Sequence, residues 1–321
     1  MKLTTGIEEE FFISRNNEPI DLTMESMAPF NITRESHKGV IEIVSPILKK
    51  VDDAIEHLDA SRAKIRHESE KIGATVFSGG THPFIGWQDV SLHQDPVHQK
   101  LSDTYQICSH STFTFGMHIH FGGIDHDLVP YVFNGLRRFI PLFISFSANS
   151  RLWGGVDTGL SCYRLVQLGI KPRSGLPDKM TSIKDTERQI NNMLTTGCLD
   201  KPTSIWEDVR WHPLHKTLEV RVFDTQQSSN LATLTYILTY SIVKLLCINP
   251  DILKEALPEE KWILSENRWR SIRYGRKAVF ITSKKTSIEP VIILEEIKRL
   301  LVGIGENFLA KELQKVIFHY D

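Results

Sequence analysis

The chain has 321 residues, of which 41% are hydrophobic and 24% charged, and its 38 basic residues nearly balance 39 acidic ones. This composition excludes disordered, collagen-like and coiled-coil proteins, and the near-zero net charge gives no strong attraction to nucleic acid or to an anionic membrane. The first residues carry three glutamates where a signal peptide needs an apolar run, and no cysteines are spaced C-x-x-C. We therefore expect a cytoplasmic protein without a nucleic-acid or membrane partner.

The predicted elements begin with strands and end mostly with helices. Strands are predicted, from alternation or from short apolar runs, at 3–13, 39–45, 74–78, 112–122, 204–211 and 217–224, the last two as a hairpin. Helices are predicted at 49–72, 95–108, 130–148, 229–248, 250–256, 259–276 and 290–302, with a short one at the C-terminus. This order favours an α+β fold with a largely antiparallel sheet. Because no linker or repeat divides the chain, residues 1–321 are expected to form a single domain.

Several predicted strands combine an apolar face with a face that carries ionisable groups. Side chains alternate across a strand, so His118 and His120 share the face opposite to a row of phenylalanines, and Glu8 and Glu10 share one face of the first strand. Glu42 interrupts an otherwise apolar strand. Two carboxylates one pleat apart repel each other unless cations or arginines lie between them. Taken alone, each pattern also fits a solvated edge, an ion pair or ordinary hydrogen bonding.

The hairpin at 204–224 adds arginines to these acids. Glu219 and Arg221 share one face of its second strand, and the first strand is predicted to place four side chains on a common face, namely Trp206, Asp208, Arg210 and His212. So many oxygen ligands suit Mg²⁺ or Mn²⁺, ions that commonly bridge nucleotide phosphates in enzymes. Neither of the glycine-rich phosphate-binding motifs, G-x-x-x-x-G-K-[ST] and G-x-G-x-x-G, is present, so a triphosphate would be held mainly by metal ions and arginines. The basic stretch 261–285 offers further arginines, although such a run is usually a solvated face.

Short motifs occur in one order along most of the chain. They are G-I-E-E-E-F, V-I-E-I-V-S-P, G-M-H-I-H-F-G, A-N-S-x-x-W-x-G-x-D-T-G, S-x-x-R, W-x-D-V-R, T-L-E-V-R-V-x-D and E-N-R-W-R-S-I-R-Y-G, between about residues 6 and 277. In number and order they resemble the carboxylate-amine ligases of the glutamate–cysteine ligase type 2 family. The resemblance implies a glutamine synthetase-like fold, in which a curved, mostly antiparallel sheet flanked by helices forms an active-site funnel.

The same resemblance implies roles for individual residues. The implied metal-binding positions are Glu8, Glu10, Glu42, His118 and Glu219, with Glu35 as a weaker candidate. Arg164 and Arg221 match arginines that hold a carboxylate or the transferring phosphate, and with Glu219 they are the catalytic candidates. Substrate-binding candidates are His120, Asn149, Ser150, Trp153, Arg164 and Arg221. Weaker candidates for contacting the nucleotide are Arg210, Asn267 and Arg273.

The implied reaction is ATP-dependent amide formation of the γ-glutamyl type with Mg²⁺ or Mn²⁺, through an acyl phosphate that an amine then attacks. The partners are ATP and amino-acid-like carboxylate and amine substrates, and a homodimer is compatible with the pattern. Glutamate and cysteine are the family's namesake pair, so weak glutamate–cysteine ligase activity is one expectation. Two alternatives remain. One is a catalytically silent relative that binds nucleotide or amino acid, and the other is a zinc hydrolase that uses His118 and His120.

Overall fold

The computed structural model describes residues 2–320, and most of its longer strands belong to one antiparallel sheet. The strands are β1 Thr4–Arg15, β2 Glu18–Pro19, β3 Asn31–Arg34, β4 Val40–Val44, β5 Thr75–Phe77, β6 Gly116–Gly122, β7 Leu152–Trp153, β8 Val156–Asp157, β9 Ser174–Gly175, β10 Trp206–Glu207, β11 Val209–His212, β12 Thr217–Asp224, β13 Phe280–Ile281 and β14 Ser287–Ile288. The large sheet has the order β11-β12-β6-β1-β4-β3, and β2 and β5 also pair with β1. The long strand β1 therefore lies at its centre.

Helices follow and separate the strands, and three of them cover one side of the sheet. They are α1 Met24–Met27, α2 Val51–Lys71, α3 Pro96–Tyr105, α4 Ile107–His110, α5 Val129–Ser147, α6 Arg164–Leu168, α7 Ile183–Thr195, α8 Ser229–Ile248, α9 Lys261–Tyr274, α10 Pro290–Gly303 and α11 Asn307–Phe318. Side chains from α2, α5 and α8 share a hydrophobic core with Ile7, Ile119 and Val220 of the sheet. The burial of this apolar face fixes the strands as a layer.

Alternation along the central strands sends different chemistry to the two sides of the sheet. Met117, Ile119 and Phe121 of β6 are buried in the core, as predicted from their spacing. His118 on the same strand and Glu8 of β1 point to the other side, where they line a cavity. The sequence pattern thus predicted which side of the sheet is polar.

One charged residue nevertheless lies on the apolar side. Glu9 is 2% exposed and accepts hydrogen bonds from two nitrogens of Arg62 on α2, with Nε 3.0 Å from Oε2. Arg62 is equally buried and also donates to the carbonyl oxygen of Gln226, at 2.9 Å. The pair ties α2 to β1 and to the loop after β12, so that the residue between Glu8 and Glu10 is anchored.

Several predicted elements are corrected by the structure. The helix at 95–108 is broken at Gln106, which has φ 47°, and residues 250–256 form turns rather than a helix. The strand at 112–122 begins only at Gly116, because the N–H of Phe115 donates to Gly80 of a loop, at 2.9 Å. The strand Asn31–Arg34 and the helix Ile183–Thr195 were not predicted.

The predicted hairpin is only half correct. Val209–His212 pairs with β12, but Trp206–Glu207 forms a short parallel pair with Ser174–Gly175. A bulge between Val220 and Phe223 turns the N–H of Arg221 to the carbonyl oxygen of Asp208, at 2.9 Å. The carboxylate of Asp208 binds Arg268 of α9, whereas Trp206, Arg210 and His212 keep a common side, where they line the same cavity as His118.

Helix α8 is long and apolar enough to cross a membrane by length and composition alone. One charged residue, Lys244, interrupts it. In the structure, 72% of its most apolar window is buried inside the protein. Its apolar side chains are therefore used in packing against the sheet and the neighbouring helices.

Breaking the buried ion pair should destabilise the fold strongly. We expect Glu9→Ala to lower the free energy of unfolding by about 3–5 kcal/mol, because it leaves the Arg62 guanidinium buried without its partner. Urea unfolding followed by circular dichroism measures this change. Glu255→Ala, which breaks an exposed ion pair with Lys284, is the control and should change the free energy of unfolding little. Equal effects of the two substitutions would contradict the structural role of Arg62 and Glu9.

Candidate active site

A cavity of about 320 Å³, here called the main cavity, lies on the polar side of the sheet. Five strands of the sheet contribute ionisable side chains, namely Glu8 and Glu10 of β1, Glu42 of β4, His118 of β6, Arg210 and His212 of β11, and Arg221 of β12. Loops, α6 and β10 add Glu35, Arg164, Lys171 and Trp206 to the wall. The strands that the sequence singled out therefore meet at one place.

Three carboxylates oppose one another in the main cavity. Glu10 and Glu42 are direct neighbours in the β1–β4 register, and Glu35 lies beside them. Burial and the nearby Glu8, Glu35 and Glu10 raise the pKa of Glu42 well above its usual range. Burial and the charge of Glu10 raise the pKa of Glu35 to about 7. Like charges directly opposite one another destabilise a sheet, so this cluster favours a bound cation.

Glu8 differs because two imidazoles bind its carboxylate. Nδ1 of His118 lies 3.2 Å from Oε2, and Nε2 of His120 lies 3.1 Å from Oε1. Burial acts to raise the pKa of Glu8, but these hydrogen bonds outweigh it and hold the pKa well below the usual range. For His120, the Glu219 and Glu8 carboxylates outweigh burial and raise the pKa. Glu8 is thus held as a carboxylate at neutral pH.

Glu219 is fully buried and is compensated by two arginines. Arg210 forms two hydrogen bonds with it, with Nε 2.6 Å from Oε2, and Nη1 of Arg221 donates to Oε1. Burial would raise the pKa of Glu219, but the charges of Arg221 and Arg210 hold it well below the usual range. Glu219 therefore fixes the direction of the Arg221 guanidinium on the cavity wall.

Arg164 is 2% exposed, yet it lines the main cavity. Its Nη1 donates to the carbonyl oxygen of Arg221 at 3.2 Å, and its Nη2 donates to Nε2 of His118 at 3.3 Å. Among the described residues, Nε of Arg164 has no hydrogen-bond partner. A buried donor left unpaired costs about 1–3 kcal/mol, so the position of Arg164 is held at a cost in stability.

The donor sets fit a hard divalent cation. Three groups place their ligand atoms within 4.8 Å of one another, namely Glu8 with Glu42 and His118, Glu8 with His120 and Glu219, and Glu10 with Glu35 and Glu42. Carboxylate oxygens dominate each group, which is the chemistry that Mg²⁺ and Mn²⁺ prefer. All the metal-binding positions implied by the sequence, including the weaker Glu35, belong to at least one group. In the second group the arginines already hold Glu219, so a cation would compete with them.

The other expected site residues lie elsewhere. Asn149 and Ser150 line a separate cavity and bind the buried carboxylate of Asp224, and Trp153 packs on Tyr163, with ring centroids 5.2 Å apart. Their placement does not support the expectation that they line the substrate pocket.

Of the three weaker candidates for contacting the nucleotide, two also lie away from the main cavity. Asn267 makes two hydrogen bonds with the backbone of Ile281, and the exposed Arg273 donates to the carbonyl oxygen of Gly159. Arg210 alone among these candidates reaches the main cavity.

Sequence reasoning missed Lys171, a half-buried residue on the wall of the main cavity. Its Nζ lies 5.2 Å from the centre of the Trp206 ring, and it faces Glu35 and Glu10. No motif or alternation in the sequence marked this lysine. A second cavity of about 310 Å³, here called the side cavity, also borders Glu8 and is lined by Gly6, Pro46, His120 and His215 among others.

Comparisons with known proteins point to one family. The family model described as glutamate-cysteine ligase family 2 matches residues 4–317. The glutamate–cysteine ligase of Natronomonas pharaonis is 30% identical over 322 residues, which cover 96% of this chain and 88% of that protein.

Solved structures show the same fold. The glutamate–cysteine ligase of Francisella tularensis, solved in complex with AMP, matches with a TM-score of 0.70 at 11% identity, over 100% of this chain and 82% of that one. A bifunctional glutathione synthetase from Pasteurella multocida matches with a TM-score of 0.70 at 14% identity, over 99% of this chain. Our chain spans only 48% of that second protein. The fold class predicted from the sequence is thereby confirmed.

The opposed carboxylates predict that removing the charge of Glu42 raises the thermal stability without a metal ion. With a metal ion, the same change should leave the variant less stable than the wild type. Since the pKa of Glu42 is raised in the folded state, its ionisation costs stability increasingly as pH rises above about 4.5. Glu42→Gln removes this charge and keeps a side-chain oxygen that can accept the hydrogen bond from Thr33, whose Oγ1 lies 3.0 Å from Oε2 of Glu42 in the wild type. We expect Glu42→Gln in EDTA to raise the Tm by about 2 °C or more at pH 8, and by less at pH 5. Differential scanning calorimetry measures both values.

With millimolar Mn²⁺, the wild type should have the higher Tm, because the variant has lost a shared ligand and gains less stability from the cation. Glu18→Gln, an exposed strand residue, is the matched control and should follow the wild type in all conditions. A lower Tm for Glu42→Gln than for the wild type in EDTA would show that the carboxylate cluster is not repulsive.

Proposed function

The chain belongs to the glutamate-cysteine ligase family 2, and we propose that it is an ATP-dependent carbon–nitrogen ligase that joins a small carboxylate to an amine. The observation that carries the proposal is the main cavity, where mutually opposed carboxylates face arginines that are held in place. Carboxylates that need a cation and guanidinium groups aimed at the same space suit the transfer of a phosphoryl group. Glutamate and cysteine are the first substrate pair to test.

The charged groups suggest how the reaction would run. The substrate carboxylate attacks the γ-phosphate of ATP, which gives an acyl phosphate and ADP, and the amine then displaces phosphate and loses a proton. Bound Mg²⁺ or Mn²⁺ would neutralise the phosphate oxygens and would be held by Glu8, Glu10, Glu35, Glu42 and His118.

The arginines bind and orient the substrate in this proposal. Arg221 is aimed by Glu219, and a guanidinium can grip a carboxylate or phosphoryl group through two parallel hydrogen bonds. Arg164 lines the same cavity and supplies a second guanidinium. Because both side chains are held by neighbours before substrate arrives, little side-chain entropy is lost on binding.

The side cavity beside the main cavity offers a place for the nucleotide. Glu8 borders both cavities, so a nucleotide whose base occupies the side cavity could extend its phosphates past Glu8 toward Arg164 and Arg221. The complex of the Francisella tularensis ligase with AMP supports nucleotide binding by this fold. We also propose that the enzyme acts in the cytoplasm on small molecules, without nucleic acid or membrane, and a homodimer stays a prediction.

A zinc hydrolase fits the site less well. Within residues 2–320, each candidate ligand group contains at most one histidine, and His118 and His120 both bind the same carboxylate, that of Glu8. Zinc in hydrolases usually takes two or three imidazole or thiolate ligands. A catalytically silent relative differs from the ligase in one result, namely ATP binding without release of ADP.

ATP binding should require a divalent cation. We expect isothermal titration to show binding of ATP with Mg²⁺ or Mn²⁺ and a loss of at least tenfold in affinity in excess EDTA, since carboxylates repel phosphate unless a cation lies between them. In Mg²⁺, ADP release should require a carboxylate substrate, and an amide product should be detected by mass spectrometry. Equal affinity for ATP with and without EDTA would remove the metal-bridged site.

The geometry at Arg221 predicts a catalytic loss that does not involve unfolding. Arg221→Lys should keep the fold but lower kcat/KM by about tenfold, or about 1.4 kcal/mol, because an ammonium cannot reproduce the planar two-bond grip. Steady-state kinetics with ATP, glutamate and cysteine measure the change. Arg151→Lys, in an exposed pair with Asp157, is the control and should leave kcat/KM unchanged. Wild-type kcat/KM in Arg221→Lys would reduce this residue to a partner of Glu219.

A further inference from the structure

We infer that Asp224 and Ser150 are positioning residues that hold Arg164 in the main cavity, a role that rests on the proposed function. Asp224 is the last residue of β12 and is 0% exposed. Its Oδ2 accepts hydrogen bonds from the N–H of Asn149 and from Oγ of Ser150, both at 2.7 Å. Its Oδ1 accepts from Sγ of Cys162 at 3.4 Å. The carboxylate thus binds the loop that precedes α6 at two places.

The hydroxyl of Ser150 connects this carboxylate to Arg164. Ser150 Oγ donates its hydrogen to Asp224 and accepts from the backbone N–H of Arg164 at 3.0 Å. Arg164 is the first residue of α6, where a helix leaves its N–H groups without intrahelical partners. Because a hydroxyl has one hydrogen, its donation to Asp224 points a lone pair at Arg164.

The position of the Arg164 backbone determines where its guanidinium lies. From α6, the Arg164 side chain reaches Nε2 of His118 and the carbonyl oxygen of Arg221 at once. A shift of the α6 start would therefore lose both contacts and move the unpaired Nε. Displacements of about 1 Å in a catalytic group are costly to rate even when the fold is intact.

Two glycines leave the space that these side chains occupy. A Cβ at Gly80 would lie 2.4 Å from Cγ of Asp224, and a Cβ at Gly116 would lie 2.0 Å from Nη2 of Arg164. Neither glycine has a positive φ, so the backbone conformation alone does not require glycine there. The close approach of Asp224 to Gly80 and of Arg164 to Gly116 explains why glycine occupies these two positions. It also shows that the two side chains are tightly enclosed.

A merely structural role for Asp224 would make a different prediction. If the carboxylate only tied the loop at 149–150 to β12, its loss would lower stability and leave the rate of the folded enzyme unchanged. If it acts through Arg164, the loss should lower kcat, and the effect should disappear once Arg164 no longer makes its contacts. A double-mutant cycle separates these cases.

The first experiment measures kcat and KM with Mg²⁺, ATP, glutamate and cysteine. We expect Ser150→Ala to lower kcat about tenfold with less than a twofold change in the KM for ATP. In the Arg164→Lys background, Ser150→Ala should lower kcat by less than about twofold. A tenfold further loss in that background, or wild-type kcat in Ser150→Ala alone, would overturn the proposal.

Asp224→Asn tests the same path by rescue. Its amide oxygen can take the place of Oδ2 and accept from Asn149 and Ser150, while its NH₂ group faces the Cys162 sulfur. We expect kcat within about threefold of the wild type for Asp224→Asn, and a loss of tenfold or more for Asp224→Ala. Equal kcat for these two variants would contradict the relay. If Asp224→Ala does not fold, the cycle with Ser150→Ala decides.

Ser145→Ala is the matched control. Ser145 is also fully buried, and its hydroxyl bonds to Leu142 and Tyr320, away from Arg164. It should lower the Tm about as much as Ser150→Ala and leave kcat unchanged. A tenfold loss of kcat in Ser145→Ala would show that any buried hydroxyl affects the rate, and the proposal would fall.

A second readout does not depend on activity. Hydrogen exchange at the Arg164 amide, followed by NMR, should be faster in Asp224→Ala than in the wild type and nearly unchanged in Asp224→Asn. Unchanged exchange in Asp224→Ala would overturn the positioning role. If the wild type forms no product from ATP and the amino acids, the proposed function fails, whereas the exchange measurement still decides whether Asp224 orders Arg164.

Discussion

The opposition of Glu10 and Glu42 across the β1–β4 pair is the constraint on which the polar side of the sheet depends. Strand register sets their distance, so neither residue can move away without a slip that would expose every apolar neighbour. Glu35 adds a third carboxylate to the same space. Lys171 faces Glu10 and Glu35, but the described residues form no salt bridge with Glu42, so a bound cation would remove the remaining repulsion.

The apolar side of the sheet is what makes that repulsion tolerable. Helices α2, α5 and α8 bury Ile7, Ile119 and Val220, and the pairing of Glu9 with Arg62 adds a polar anchor within this layer. The strands are therefore held in place on their apolar side, and the backbone positions of the charged side chains on the polar side are set by this packing. A rigid support of this kind is what a site built from separate strands needs, since each strand supplies one or two ligands.

Alternation predicted the polar side chains of β1, β4, β6 and β12 because it is a local property of a strand, and the structure brings Glu8, Glu42 and His118 together as expected. It could not predict contacts over long sequence distances, such as the path from Asp224 through Ser150 to Arg164. Ser150 belongs to a recognisable motif, yet it binds a buried carboxylate rather than lining the main cavity. Asp208 alone left the predicted face at 206–212, because the pairing with β12 starts at Val209 and a bulge in the partner strand is not visible in an alternating pattern.

The acids of the site divide into two kinds according to their neighbours. Glu219 is held by Arg210 and Arg221 and Glu8 by two histidines, so these carboxylates keep their charge without a metal. Among the described residues, Glu42 accepts a hydrogen bond only from the hydroxyl of Thr33, and it belongs to two of the possible ligand groups. A cation bound by one group would remove the repulsion felt by the other but would also use their shared oxygens. Binding at the two groups must therefore be coupled, with a sign set by whether relief of repulsion or competition for Glu42 is larger.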